Sequence, residues 1–206
     1  MLERFQRKHQ IVPGQTPSAD LLSRLESHLP EYLISAWKEF GFFTTKDSFL
    51  FLTNPDEFEY LKESGLISKK AIVILRTSFG DVFTWENNCC NHLMINDGIV
   101  SELDKNIEFF FESTILMDEL LNGVLYWKQH KKAMKRIKQL ESDECFAFVP
   151  AFALGGSART SEIEKVKLRE HLLFLSQLTG KPQSIDFGIT QDAVDNIIAA
   201  YDRENP

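Results

Sequence analysis

A chain of 206 residues with 43% hydrophobic content and a net charge of −7 can bury a core of its own without a disulfide framework or structural metal. Its acidity argues against a general nucleic-acid binder, which needs a cationic surface, and suits a basic partner. Three cysteines, two of them adjacent at Cys89-Cys90, cannot build a set of bridges, MLERFQRKHQ lacks a signal-peptide core, and no run reaches membrane-spanning length. The expectation is a cytoplasmic protein with reduced thiols, and 17 Phe predict an aromatic core.

In chain order, residues 1–17 are polar with Pro13, Gly14 and Pro17, and read as a loose lead-in. Ser18 or Asp20 caps a helix carrying Leu21, Leu22, Leu25 and Leu29. Pro30 opens a second helix, with Leu33, Trp37 and Phe40 on one face and Gly41 at its end. Residues 48–53 read as a strand. Asn54-Pro55 then starts a short helix with Phe58 and Leu61 on its apolar side, ending at Gly65.

The apolar run Ala71–Leu75 suits a strand covered on both faces. Gly80-Asp81 supplies a turn, and Val82–Trp85 restarts as a β-branched and aromatic strand. Asn87-Asn88 is the next turn, and Cys89–Ile95 and Gly98–Glu102 are two further strands around Asn96-Asp97-Gly98.

Asp104 or Asn106 caps one apolar helix running through Phe110, Phe111 and Ile115 to Leu121, and Gly123 breaks it. Residues 124–140 form an amphipathic helix with a stripe of Trp127, His130, Met134 and Ile137, and lysines over the rest. Residues 144–154 read as a buried strand that ends or bends at Pro150. Residues 161–178 read as a helix closed by Gly180, and 190–203 as a final amphipathic helix. The fold class is α+β, with a central antiparallel meander of about four to six strands packed with helices and an extra C-terminal helix.

Chemistry is sparse. His9, His28, His92, His130 and His171 are scattered singly, so no metal site is expected, and no cofactor either. Gly155-Gly156-Ser157 lacks the Lys-Ser/Thr of a phosphate-binding loop and reads as a hinge or partner-contact loop. No G-x-S-x-G elbow exists, and Asp81 and Glu86 flank the hairpin without the pattern of an acid/base pair. The lysines between Lys128 and Lys138 suit nucleic acid or an acidic partner, but read first as the solvated side of a helix. The acids Glu102, Asp104, Glu108, Glu112, Asp118 and Glu119 are more suggestive: Asp104 and Glu108 suit a helix N-terminus, and the set could mimic DNA phosphate for a basic nuclease cleft.

Five stretches occur in order: WKEFGF at 37–42, NPDEF at 54–58, RTSFGDVFTW at 76–85, ECFAFVPAFALGGS at 144–157 and VKLREHLLFLSQLTG at 166–180. Together they cover most of residues 30–180. The N-terminal part resembles the GAD-like domain, and the remainder resembles the module that commonly follows it in immunity proteins to DNase toxins of type VI secretion. The resemblance divides the chain into a GAD-like module at 1–70, an immunity-type module at 71–180 sharing one core, and a tail at 181–206. It implies a non-enzymatic inhibitor that binds its cognate nuclease toxin stoichiometrically, with no small-molecule substrate, no membrane partner and no nucleic acid of its own. The toxin contacts are then expected at the six acids and at Gly155, Gly156 and Ser157. The alternative is a regulatory or scaffold protein that uses the same fold for another partner.

Overall fold

A computed structural model describes residues 1–185 of the chain. Its centre is the pair of strands β4 (Ile72–Thr77) and β5 (Val82–Glu86), joined through Gly80, whose φ of +84° suits glycine and whose added Cβ would meet Leu172 at 2.9 Å. Asn87 and Asn88, both with positive φ, turn the chain into β6 (Cys89–Met94), which pairs in turn with β7 (Ile99–Asp104).

The N-terminal residues are ordered structure rather than a loose lead-in. They form a helix α1 (Glu3–Lys8) and a strand β1 (Ile11–Gln15), and Leu2 and Phe5 are fully buried. Phe5 packs on Phe43 and Phe111, with ring centroids at 5.6 and 6.0 Å. Six helical residues carry little local signal, so distant partners decide the conformation. Next come α2 (Ala19–Leu25), capped by Ser18 Oγ accepting from Leu21 N–H, and α3 (Glu31–Phe40), closed at Gly41. A strand β2 (Phe42–Thr45), absent from the expected order, pairs with β1 and with β3 (Leu50–Leu52). Asn54 caps the turn Pro55–Phe58 that leads into α4 (Glu59–Glu63).

The long helix expected between residues 104 and 121 is broken into three pieces. Asn106 caps α5 (Ile107–Glu112), a 3-10 turn spans Thr114–Leu116, and α6 (Asp118–Gly123) comes after it. Thr114 Oγ1 donates to Asp104 Oδ2 at 2.7 Å, a side-chain bond that competes with helix continuation at that point. Helix α7 (Trp127–Ile137) carries the expected stripe, with His130 and Ala133 buried.

The expected strand at 144–154 is shorter: β8 (Glu144–Phe148) stops before Pro150, and Phe152–Leu154 form a 3-10 turn. The helix expected from residue 161 begins later. Residues Ile163–Lys167 form β9, which fills the ladder of β8, and only then does α8 (Leu168–Thr179) start, closed at Gly180. A two-residue strand β10 (Gln183–Ser184) pairs parallel to β7. The helix expected at 190–203 lies outside the described residues.

The sheet therefore has eight strands in the order β1-β2-β3-β4-β5-β6-β7-β10, more than the four to six expected, with β8-β9 as a separate ribbon. Alternation along the strands sends Ile74, Phe83 and Cys90 to one face, where α1, α3 and α5 cover them with Phe5, Trp37 and Phe110. Val73, Val82 and Leu93 point to the other, under Leu61 of α4 and Leu172 and Leu175 of α8. A third cluster joins Phe51 and Phe79 to Phe146 and Phe148 of the ribbon.

This packing is testable in two ways. Truncating the fully buried Phe5 by Phe5→Ala should lower unfolding stability by about 3–5 kcal/mol in denaturant titration, a loss that a loose lead-in would not show. Burial also pushes the imidazoles of His9, His130 and His171 down to about 4. An unfolded histidine titrates near 6.5, so between those pH values the unfolded chain takes up protons that the folded chain refuses. The histidine contribution to stability is then complete above about pH 6.5 and is lost as pH falls toward 4. The Asp97 and Asp104 carboxyls, pushed up mainly by desolvation, act in the opposite direction. Urea unfolding should show the decline, and His171→Leu should reduce proton uptake on unfolding by about one.

Candidate functional site

The six acids of the expected surface lie on consecutive elements, β7, α5 and α6, and the structure divides them by role. Glu102, Glu108 and Glu119 are exposed and form no ion pair among the described residues. The other three are engaged. Asp104 accepts from Thr114 Oγ1 and from Asn106 N–H at 2.9 Å. Asp118 pairs with Lys8 Nζ at 3.0 Å. Glu112 is half-buried and accepts from Arg4 N–H and from the Tyr32 hydroxyl, each at 2.8 Å. That arrangement ties α5 to the N-terminal helix, and burial together with the Glu112 bond pushes the Tyr32 hydroxyl well above its usual range.

Gly155-Gly156-Ser157 lies in the connection between β8 and β9. Gly155 has φ +85°, and a Cβ on Gly156 would fall 1.7 Å from Pro150 O. Ser157 donates through both N–H (3.1 Å) and Oγ (2.8 Å) to Glu162 Oε2. The glycines thus allow a tight return of the chain, and the loop is pinned by a carboxylate instead of cradling an anion.

The third surface is α7. Lys128, Lys131, Lys132, Lys135 and Lys138 are exposed without ion pairs among the described residues, and Lys131 lies 5.1 Å from the Trp127 ring centroid. Arg136 instead donates to Thr160 O and Ile163 O, stapling α7 to the ribbon. Beneath the lysines, Trp127 and His130 stack at 5.5 Å against the core.

The buried titratable groups are packing elements. His130 Nδ1 lies 2.9 Å from Ser78 Oγ, and His92 Nε2 lies 3.5 Å from Asp81 Oδ2. These are separate pairs, with Ser78 fully buried, so no carbonyl substrate reaches the hydroxyl. Desolvation pushes the Cys145 thiol up to about 12 and the Cys89 and Cys90 thiols above their ordinary value, the reverse of what a reactive thiolate needs. Among the described residues no group of His, Cys, Asp and Glu is placed to hold a metal ion, and no helix is long and apolar enough to cross a membrane.

Sequence reasoning missed the internal role of Glu112 and the position of Arg76. Glu112 looks like any other surface acid in the helix, and its partners lie 80 and 108 residues away. Arg76 carried one signal: a lone cation at the end of an apolar strand.

The division of roles is directly testable. Glu112→Ala should cost about 1–3 kcal/mol of stability, since it leaves two donors without their charged acceptor. Glu119→Ala should stay within about 0.5 kcal/mol. Parallel denaturant titrations of the two variants check both values.

The GAD-like domain matches residues 1–98, and the family described as T6SS immunity protein Tdi1, C-terminal, matches residues 104–179. The first match holds β1 to β6 of the large sheet and the second holds the β8-β9 ribbon with α5 to α8, the two meeting at β7. A crystal structure of Atu4351 from Agrobacterium tumefaciens superposes with a TM-score of 0.69 at 12% identity, covering 91% of this chain and 93% of that one. At that identity the likeness is one of fold. A comparison with curated proteins returns no match. The chain therefore matches a GAD-like domain followed by a T6SS immunity protein Tdi1 C-terminal domain, the same order of modules that its ordered blocks of sequence imply.

Proposed function

We propose that this protein is a cytoplasmic immunity protein that binds a cognate nuclease toxin, a DNase, and neutralises it by stoichiometric protein–protein inhibition. The observation that carries the reading is the match of residues 104–179 to the Tdi1 immunity domain. That segment also holds most of the acidic arc. Glu102, Glu108 and Glu119 leave their carboxylates unspent on the fold, so they are available to a basic nuclease cleft in place of DNA phosphate. Asp104, Glu112 and Asp118 hold the same elements in position from within, and the pinned Gly155–Ser157 loop offers a second contact element. Inhibition of this kind calls for a fixed complementary surface and no catalytic step.

Electrostatic steering by the arc raises the association rate, and salt screens it. The test is titration of the cognate nuclease, read by DNA cleavage. Activity should vanish near equimolar inhibitor, and persistence of cleavage at excess would sink the reading. Joint Glu108→Lys and Glu119→Lys substitution should slow association by roughly tenfold or more at low salt, with the gap closing at high salt. An unchanged rate at low salt would remove the arc from the interface while leaving the inhibition itself standing.

A further inference from the structure

A cleft of about 910 Å³ opens between β3, the Pro55–Phe58 turn, the connection from α7 to β8 and the start of α8. Four of the five stretches that carry the family resemblance meet there: Phe42, Glu57, Arg76 and Leu168 each come from a different one.

Arg76 is 1% exposed, and its guanidinium lies 3.5 Å from the ring centroid of Phe51, its cross-strand neighbour. Nη1 donates to Thr77 O at 3.1 Å and Nη2 to Ser142 O at 2.8 Å. Among the described residues, the remaining donors of the fork have no protein acceptor and no carboxylate forms an ion pair with it. The Glu57 and Asp143 carboxylates act on it only from beyond ion-pair distance, and a buried guanidinium with no carboxylate in contact that faces a cleft is a ready carboxylate or phosphate receptor.

Two more buried groups line the same cleft without partners, the Tyr60 hydroxyl and Ser48 Oγ. Burial pushes the Tyr60 hydroxyl well up, so it keeps its proton and can donate, and it pushes Arg76 down only to about 10, so the fork stays charged at neutral pH. The Arg169 guanidinium lies 5.0 Å from the Tyr60 ring centroid and adds positive potential. At the mouth stand Glu57, Asp143 and Glu170, with Lys167 already paired to Asp143 at 2.7 Å. Carboxylates there repel a polyanion, and the rings of Phe42, Phe51 and Phe58 favour an apolar body behind the charge.

We propose that this cleft is a binding site for a single carboxylate group, gripped by the Arg76 fork and the Tyr60 hydroxyl. The carboxylate belongs either to a small organic acid or to an acidic side chain of a protein partner. The grip is the same in both cases. The site stands on this geometry and does not depend on the immunity reading.

The probe is N-acetylglutamate α-amide, a monocarboxylate with a glutamate side chain, titrated by calorimetry and by NMR of ¹⁵N-arginine-labelled full-length protein. Saturable binding should shift the Arg76 Nε–H resonance, and Tyr60→Phe should weaken it by about tenfold. Because that hydroxyl bonds nothing in the fold, Tyr60→Phe should leave the unfolding temperature in place, which keeps the test valid even where Arg76→Lys fails to fold. Absence of saturable binding, an unchanged affinity in Tyr60→Phe, or tighter binding of inorganic phosphate than of the carboxylate would each overturn the proposal. Where it holds, competition with the cognate nuclease separates the two sources. Displacement by the probe, with a weakened complex in Tyr60→Phe, assigns the carboxylate to the partner protein. An unaffected complex assigns it to a small acid. Failure of the protein to inhibit any nuclease would overturn the immunity reading and leave this site standing, since probe binding needs no nuclease.

Discussion

The structure depends on a sheet whose central strands are apolar on both faces. Ile74, Phe83 and Cys90 face one way, and Val73, Val82 and Leu93 the other, so neither side can be left to water. The chain meets this constraint by splitting its helices. Helices α1, α3 and α5 cover one face, and α4 and α8 cover the other. The N-terminal helix belongs to this scheme, because Leu2 and Phe5 complete the layer that α5 begins. The surface left for recognition includes the outer side of the covering helices, the β8-β9 connection, and the cleft beside Arg76.

Charge on that remaining surface is sorted locally. The net charge of −7 describes the whole chain, yet α7 presents five exposed lysines within one helix and its surroundings, close in sequence to the acids of α5 and α6. A partner meets a patch, and within a Debye length of about 8–10 Å the patch decides the interaction. Even within the acidic patch, composition misleads. Half of the six carboxylates are spent on Lys8, Arg4, Tyr32 and Thr114, so they position the arc while the others face solvent.

The interior holds more polar chemistry than a minimal core requires. Arg76, Asp81, His92 and His130 are nearly fully buried, and Asp81 Oδ1 accepts from Ile95 N–H at 3.0 Å. That bond fixes the β4–β5 turn against the β6–β7 turn. His130 and Ser78 bring α7 to the same turn, while Phe146 N–H donates to Ser78 O at 2.7 Å. The turn after β4 is therefore the junction at which the sheet, α7 and the ribbon are locked in register. Such groups add specificity to a core that hydrophobic packing alone would leave free to slide.

Short-range patterning accounts for the α+β class, the central hairpin and the helix ends, and ordered blocks of residues account for the family. Ser18, Asn54 and Asn106 each cap the helical turn that they precede, Gly41 and Gly180 close the helices before them, and Asn87-Asn88 turns one strand into the next. In each case the partner lies a few residues away. Expectation and structure part where a local preference is overruled from a distance. Residues 163–167 have helical neighbours but form a strand because β8 offers an open ladder. The apolar stretch after Asn106 breaks at Thr114 because Asp104 holds its hydroxyl. Three further features are visible only in the folded chain: the place of residues 2–15 in the core, the division of the acids into free and engaged, and the position of Arg76 near Tyr60 with no ion-pair partner among the described residues. Burial and ion pairing depend on what a side chain meets across tens of residues of intervening chain, and that encounter is set only when the sheet closes its helices over both faces.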